Sequence, residues 1–279
     1  PMSLWRVSAS SATDTVDHAF LLRPFKLYAN DADSTRDLFC TAVGTTTNLG
    51  VSSNGPVTSI KTLLDLYDLD YEDTVYIDTG IYATGTNLLI GSEDAGSTNG
   101  YVSFIGSTNG AILDRMSTAG DAYAVQISQA SYVRLSDLIL RNAFYGLYAE
   151  ASDYMIVTNL AVSNCYSVGV HLFDVNHAVF DHFTVNRCAA GLYVNGQNNL
   201  FRHGVIHSNT QYGAYFRGIP SNTIDSCTFA YNGTIANPSN FQIRVEQGGW
   251  IRNCIMAAAG LGLYCYGNGM EEDYAGDYN

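Results

Sequence analysis

The sequence predicts an all-β chain wound as a right-handed parallel β-helix, a solenoid of about eight turns with a short capping helix. Three observations carry the prediction. A short pattern recurs: Gly146-Leu147-Tyr148-Ala149 returns as Gly169-Val170-His171-Leu172, Gly191-Leu192-Tyr193-Val194, Gly213-Ala214-Tyr215-Phe216 and Gly262-Leu263-Tyr264-Cys265. The spacings are 23, 22, 22 and 49 residues, the last being two turns with an insertion. A second line keeps the same period through Leu138-Ile139-Leu140, Leu160-Ala161-Val162, Phe183-Thr184-Val185, Val205-Ile206-His207 and Cys227-Thr228-Phe229. Composition agrees, because 26 glycines and 20 tyrosines against five prolines suit short strands and tight corners rather than helices. Units this short bury their inner faces only by stacking on the next turn.

The elements follow in order. Residues 1–58 read as an extended lead-in packing on the solenoid, with its apolar segment from Ala19 to Tyr28 paired along the side. The β-helix domain takes residues 59–279 and opens with a capping helix over 59–68. There Ile60, Leu63, Leu64 and Tyr67 keep the i, i+3, i+4, i+7 spacing behind Thr58 or Ser59 as N-cap. The first strand is Thr74-Val75-Tyr76-Ile77-Asp78. In the repeats, alternation points Leu147, Val170, Leu192, Ala214 and Leu263 inward, together with Ala149, Leu172, Val194, Phe216 and Cys265. The turn displaced by the insertion reads as Asn240-Phe241-Gln242-Ile243, which puts Phe241 in the first inward column and Ile243 in the second. Asn142, Asn164, Asn209 and Asn232 fall at matching corners, where left-handed backbone is tolerated and side-chain amides can ladder. No second cap follows Gly262-Leu263-Tyr264. The expectation is that another surface covers the open end: either the continuation of a longer parent chain, or the lead-in of a neighbouring copy, in which case a processed chain assembles end to end into filaments.

Charge and composition exclude several partners. Apolar residues make up 47% of the chain and charged residues only 14%, which is not the composition of a disordered chain. Acids outnumber bases 26 to 13, for a net charge of -13, and the two lysines, Lys26 and Lys61, both precede the repeats. Nucleic acid and anionic membrane are therefore poor partners. No apolar run approaches the roughly 18 residues of a spanning helix, so membrane insertion is not expected. Six cysteines form no CxxC pair. Cys165 and Cys188 fall at equivalent places one turn apart, as do Cys227 and Cys254, which leaves disulfides and stacked free thiols both open.

Two outward columns carry the candidate chemistry. Gln126, Tyr148, His171, Tyr193, Tyr215, Gln242 and Tyr264 form an aromatic-rich stripe, with Glu150, Asn195, Arg217, Arg244 and Tyr266 two residues on. Tyrosine offers a flat apolar ring to a sugar face and a hydroxyl to its polar edge. Tyr148, His171, Tyr193, Tyr215, Arg217, Arg244 and Tyr264 are thus glycan-binding candidates, against the alternative of aromatics that simply pack a parallel sheet. The other column, Ser136, Thr158, Asp181, Arg202, Asp225 and Arg252, alternates in sign. It reads as a structural ion ladder of Asp181, Arg202, Asp225 and Arg252, with an acid–base pair near His182, His203 and His207 as the rival reading. Asp31 and Asp33 in one loop, and Glu271-Glu272-Asp273 in another, are weak calcium candidates or solvated acids. No other cofactor is expected.

The stretch Thr58-Ser59-Ile60-Lys61-Thr62-Leu63-Leu64-Asp65, followed by Asp73-Thr74-Val75-Tyr76-Ile77-Asp78-Thr79-Gly80-Ile81-Tyr82, resembles the opening of pectin-lyase-like right-handed β-helices. Residues 25–82 and 101–115 further resemble β-helix modules of very large secreted bacterial surface proteins. The resemblance implies the fold and an extracellular or cell-surface location. It leaves activity open, since the superfamily holds lyases, hydrolases, tailspikes and adhesins alike. Galacturonases of this fold carry paired aspartates and a Gly-His-Gly element. Here Arg202-His203-Gly204 is the nearest approach and no Asp-Asp pair occurs. Lyases of the fold use a basic proton abstractor, for which Arg217 with Arg244 is the suggestive pair. With no complete catalytic set, the expected function is a structural or adhesive module. A polysaccharide-active enzyme and a glycan-binding module using the tyrosine face are the alternatives.

Overall fold

The computed structural model describes residues 23–217, 221–233, 240–246, 248–257, 261–265 and 274–276. Every strand pairing in it is parallel, and each strand pairs with the one a turn earlier or later. An eight-stranded sheet takes one strand from each coil. A sixteen-stranded sheet takes the remainder, either as two short strands per coil or as one long one, such as Ile156–Ser163 and Val179–Asn186. The described chain is thus an all-β parallel solenoid with one short α-helix.

Register follows the sequence period for most of its length. Leu147, Val170, Leu192, Ala214, Ile243 and Leu263 are successive partners in the eight-stranded sheet. Phe104, Phe180, Phe201 and Phe229 fill the interior, with Phe180 and Phe201 stacked at 5.1 Å. At Gly146, Gly169, Gly191 and Gly213 the glycine is needed for close approach. A Cβ at Gly191 would stand 2.3 Å from the Gly213 carbonyl oxygen and 2.5 Å from Ile206 of the opposite sheet. One coil departs from the expected phase. Phe241 pairs with Tyr212 and Ile243 with Ala214, so Ile243 and Val245 occupy the two inward columns and Arg244, not Gln242, follows Tyr215. The reason is chemical: Gln242 stands in the glycine slot, buried, with its amide exchanging hydrogen bonds of 2.8 and 3.0 Å with Asn232.

The corners explain the polar residues. Asp137, Asn159, His182, His203, Ser226 and Asn253 all have φ between 52° and 58° at the same point in successive coils; they separate two short strands in most coils and sit as single left-handed residues inside the long strands Ile156–Ser163 and Val179–Asn186. Asn142 and Asn164 are likewise left-handed, as expected. Asn209 and Asn232 differ. The left-handed residues there are Ser208 and Tyr231, and the two asparagines are buried in the column that begins with Cys165 and Cys188. Asn209 Oδ1 accepts from the Cys188 N–H at 3.0 Å, and Asn209 Nδ2 donates to Asn232 Oδ1 at 2.9 Å. A second buried run, Asn199 and Asn222, links the coils in the same way. Cys40, Cys165, Cys188, Cys227 and Cys254 are free thiols.

At the N-terminal end, the helix Ile60–Leu66 buries Ile60 and Leu63 against the first coils. Ser59 holds the extended N-cap conformation but makes no side-chain cap bond. Of the lead-in, Lys26–Ala29 adds a parallel rung beside Thr74–Ile77, which extends the sixteen-stranded sheet by one strand at its end. Residues 1–22 lie outside the described residues. The same holds for Glu271-Glu272-Asp273 and residues 277–279, so the expectation of an open C-terminal end rests on chain that is not described; the strand Tyr274–Gly276 pairs with Gly249–Arg252.

Candidate functional site

The outer surface of the eight-stranded sheet is an aromatic layer. Gln126, Tyr148, His171, Tyr193, Tyr215, Arg244 and Tyr264 are successive partners in register. The side chain of Tyr264 lies outside the described residues. Neighbouring rings meet edge to face: Tyr148 and His171 at 5.3 Å, His171 and Tyr193 at 4.7 Å, Tyr193 and Tyr215 at 5.2 Å. Edge-on contacts of this kind add modest stability and leave part of each ring facing outward; all four side chains are half-buried.

Sequence alternation misses a second row. Tyr123, Tyr145, Tyr212 and Phe241 stand three residues before the members of the first row, in the same layer. Tyr123 stacks on Tyr145 at 5.3 Å and on Tyr148 at 4.7 Å, and Tyr212 stacks on Phe241 at 5.1 Å. Strict alternation fails because two consecutive residues are buried, Gly146 with Leu147 and Gly213 with Ala214, which lets the preceding tyrosine turn outward. The recurring Tyr-Gly-x-Tyr at Tyr145 and Tyr212 is the signal that marks them. Between these tyrosines, Val168 and Ala190 occupy the corresponding positions, so the second row has a gap two coils wide. Burial raises the Tyr212 phenol, and the phenols of Tyr193, Tyr215 and Tyr145 add to the shift.

Charged groups rim the layer. Glu150 accepts from Ser128 Oγ at 2.8 Å and from the Tyr148 hydroxyl at 2.9 Å. Glu246 accepts from the Tyr215 hydroxyl and from Arg244 Nη2, the latter at 3.0 Å. Burial, then these carboxylates, push the phenols of Tyr148 and Tyr215 up to about 12, so both remain neutral donors. Arg244 lies over the Tyr215 ring at 4.6 Å. Arg217 donates to the Tyr193 hydroxyl at 3.1 Å while 59% of its side chain stays exposed. Arg217 and Arg244 thus support tyrosines and a carboxylate. His171 is the anomaly: both ring nitrogens are buried without a hydrogen-bond partner, and burial holds its pKa down to about 4. It therefore acts as a neutral aromatic. His171→Phe is expected to change stability by less than about 1 kcal/mol, since an unsatisfied polar group is replaced by an apolar one of similar shape; a urea midpoint measurement checks this.

The charged column keeps its register from Ser136 through Thr158, Asp181, Arg202 and Asp225 to Arg252. Its ion pairs join coils two at a time. Arg202 Nη2 meets Asp181 Oδ2 at 2.8 Å, and Arg252 Nη2 meets Asp225 Oδ2 at 2.8 Å. Desolvation opposes ionisation of Asp181, but hydrogen bonds from His203 and Arg202 outweigh it and hold the carboxyl below the usual range. The His182 and His203 rings lie 4.7 Å apart beside it, tilted by 35°, whereas His207 bonds its neighbour Ser208. Asp31 accepts from the N–H groups of Asp33 and Ile81, and Asp33 accepts from the N–H and hydroxyl of Thr35.

The right-handed beta helix region family matches residues 145–272, which hold six strands of the eight-stranded sheet. Among curated proteins, none matches the sequence. A pectate lyase, Pel9A, superposes with a TM-score of 0.57 at 12% identity, over 91% of this chain and 78% of its own. A pectin methylesterase variant in complex with a hexasaccharide superposes with a TM-score of 0.51 at 12% identity, over 87% of this chain and 94% of its own. At such identities the likeness is one of fold. The parallel register, the cap at the first coil and these neighbours together give one answer: the chain folds as a right-handed parallel β-helix, similar in fold to the pectate lyase and the pectin methylesterase.

Proposed function

We propose that the protein binds a polysaccharide along the aromatic face of its eight-stranded sheet, without a catalytic set of its own on that face. The observation that carries the reading is the double row of half-buried rings, Tyr123, Tyr145, Tyr148, Tyr193, Tyr212 and Tyr215, around His171. Coils lie about 4.8 Å apart, a repeat on the scale of a sugar ring, so an extended glycan running along the axis meets a fresh ring at each step. Tyrosine hydroxyls and Arg217 supply edge hydrogen bonds. The net charge of -13, with Glu150 and Glu246 within the face, favours a neutral glycan over a polyuronate. The fold neighbours support a glycan as the ligand class, and the resemblance in the sequence supports an extracellular setting.

The test is retention on a panel of neutral and acidic polysaccharides, compared with a Tyr148→Ala, Tyr193→Ala, Tyr215→Ala variant. At about 1 kcal/mol per ring, the variant should bind roughly a hundredfold more weakly while its far-UV spectrum stays unchanged. A parent chain that retains no glycan across the panel would sink the reading.

A further inference from the structure

We propose that Asp181, His182 and His203 form a surface site for one divalent transition-metal ion, on the sheet opposite to the tyrosine face and independent of glycan binding. The three residues come from two adjacent coils. Asp181 and His182 are consecutive, and His203 follows Arg202, the in-register partner of Asp181. Both histidines occupy left-handed corner positions, with φ of 54° and 52°, and this turns both imidazoles toward the same carboxylate. Asp181 Oδ1 lies 2.8 Å from His182 Nδ1 and 2.7 Å from His203 Nδ1. One ligand atom from each residue lies within 4.8 Å of the others.

Three polar atoms converging on one point from separate side chains make an incomplete coordination shell. Bonds of roughly 2.0–2.2 Å to nitrogen and oxygen place the ligand atoms of a tetrahedral ion a little over 3 Å apart. The present spacings must open by about half an ångström to admit it. The imidazoles are free to do so, with side-chain exposures of 64% and 47% against 15% for Asp181. Arg202 takes the other carboxylate oxygen at 2.8 Å, which orients Asp181 as an outer-shell partner does and leaves Oδ1 for the ion. Two imidazoles and one carboxylate suit zinc, nickel or copper; calcium and magnesium prefer oxygen throughout. The remaining positions open to solvent, where water or a carboxylate of a bound molecule would complete the shell.

The molecule contains its own contrast. The next pair in the column, Asp225 and Arg252, repeats the geometry with Ser226 and Asn253 in place of the histidines, and there the carboxylate accepts from Asn253 Nδ2 at 3.0 Å. That pair lacks the imidazole donors.

The experiment is calorimetric titration of the chelator-treated chain with zinc chloride alone. Uptake of one ion per chain is expected. His182→Asn and His203→Asn place at left-handed corners a residue that Asn159 and Asn253 already supply at equivalent positions, so folding is kept, as far-UV circular dichroism will verify. Each should weaken zinc at least tenfold, the lower end of what even an outer-shell change costs. His207→Asn should leave binding unchanged. No uptake by the parent, a loss below tenfold in either variant, or equal dependence on His207 would overturn the proposal.

Discussion

A Leu192→Arg chain is expected to lose its cooperative fold. Leu192 is fully buried and lies between Val170 and Ala214 in the inward column of the eight-stranded sheet. The column is continuous over many coils, so the new guanidinium meets methyl groups above and below, and the strand faces solvent only on its other side. An unpaired buried charge costs several kcal/mol, a large share of the 5–15 kcal/mol that a domain typically has. Leu192→Ala removes only packing and should cost about 2–5 kcal/mol. The position makes the effect worse than the number. Contacts in a solenoid run to the neighbouring coils alone, so a coil that melts in the middle exposes two open ends with unpaired strand edges. The arginine variant should therefore aggregate or elute as an expanded species, whereas the alanine variant stays folded with a lowered melting temperature. Size exclusion with a thermal melt decides the matter, and a soluble arginine variant melting within a few degrees of the parent would show that the column faces outward.

That column was legible because its period is kept by residue type. A glycine followed by an aliphatic residue marks four successive coils, and the physical cause is the close approach of Gly146, Gly169, Gly191 and Gly213 to the opposite sheet. Legibility fails where that cause is met by other means. Gln242 takes the glycine place by hydrogen-bonding Asn232, the marker disappears, and a reading by pattern slips by one residue there. The second tyrosine row escaped for a related reason, since alternation assumes that successive residues face opposite ways and here the glycine and the residue after it are both buried. The charged column was fully readable in register. Its histidines were named without their contacts, because the turn that aims them at Asp181 depends on a left-handed corner and nothing in a histidine announces one. Asparagine misled in the opposite sense: at Asn209 and Asn232 it serves as a buried ladder, and the left-handed corner falls one residue earlier.

Removal of the Asp78 carboxylate should be among the most costly polar changes in the described part of the chain. Asp78 is fully buried where the lead-in meets the first coil. Oδ1 accepts from the N–H groups of Leu38 and Thr79 at 2.7 and 2.8 Å, and Oδ2 from those of Phe39 and Cys40 at 2.8 and 2.5 Å. Desolvation disfavours its charge, but these four donors outweigh that and hold the carboxyl below the usual range. Asp78→Ala leaves four backbone donors without their acceptor, for an expected loss of about 3–5 kcal/mol. Asp78→Asn should be little better, because its amide sets a donor against donors. The sign of the pH dependence follows. A carboxyl depressed in the fold gives stability that is fully present above its unfolded value near 3.9 and is lost as pH falls through the folded value. Asp114, Asp181 and Asp225 are depressed as well and act in the same direction. Asp94, raised to about 6 chiefly by burial, acts oppositely, so protonating it adds stability as pH drops from about 6 to 4. Urea midpoints of the parent should thus decline steeply only below about pH 4, and the gap between parent and Asp78→Ala should narrow there. Hydrogen exchange should also show the amides of Leu38, Phe39 and Cys40 unprotected in the variant, while the coils around Leu192 keep their protection. A parent–variant gap that stays constant down to pH 2 would mean that the four donors do not depend on the charge of Asp78.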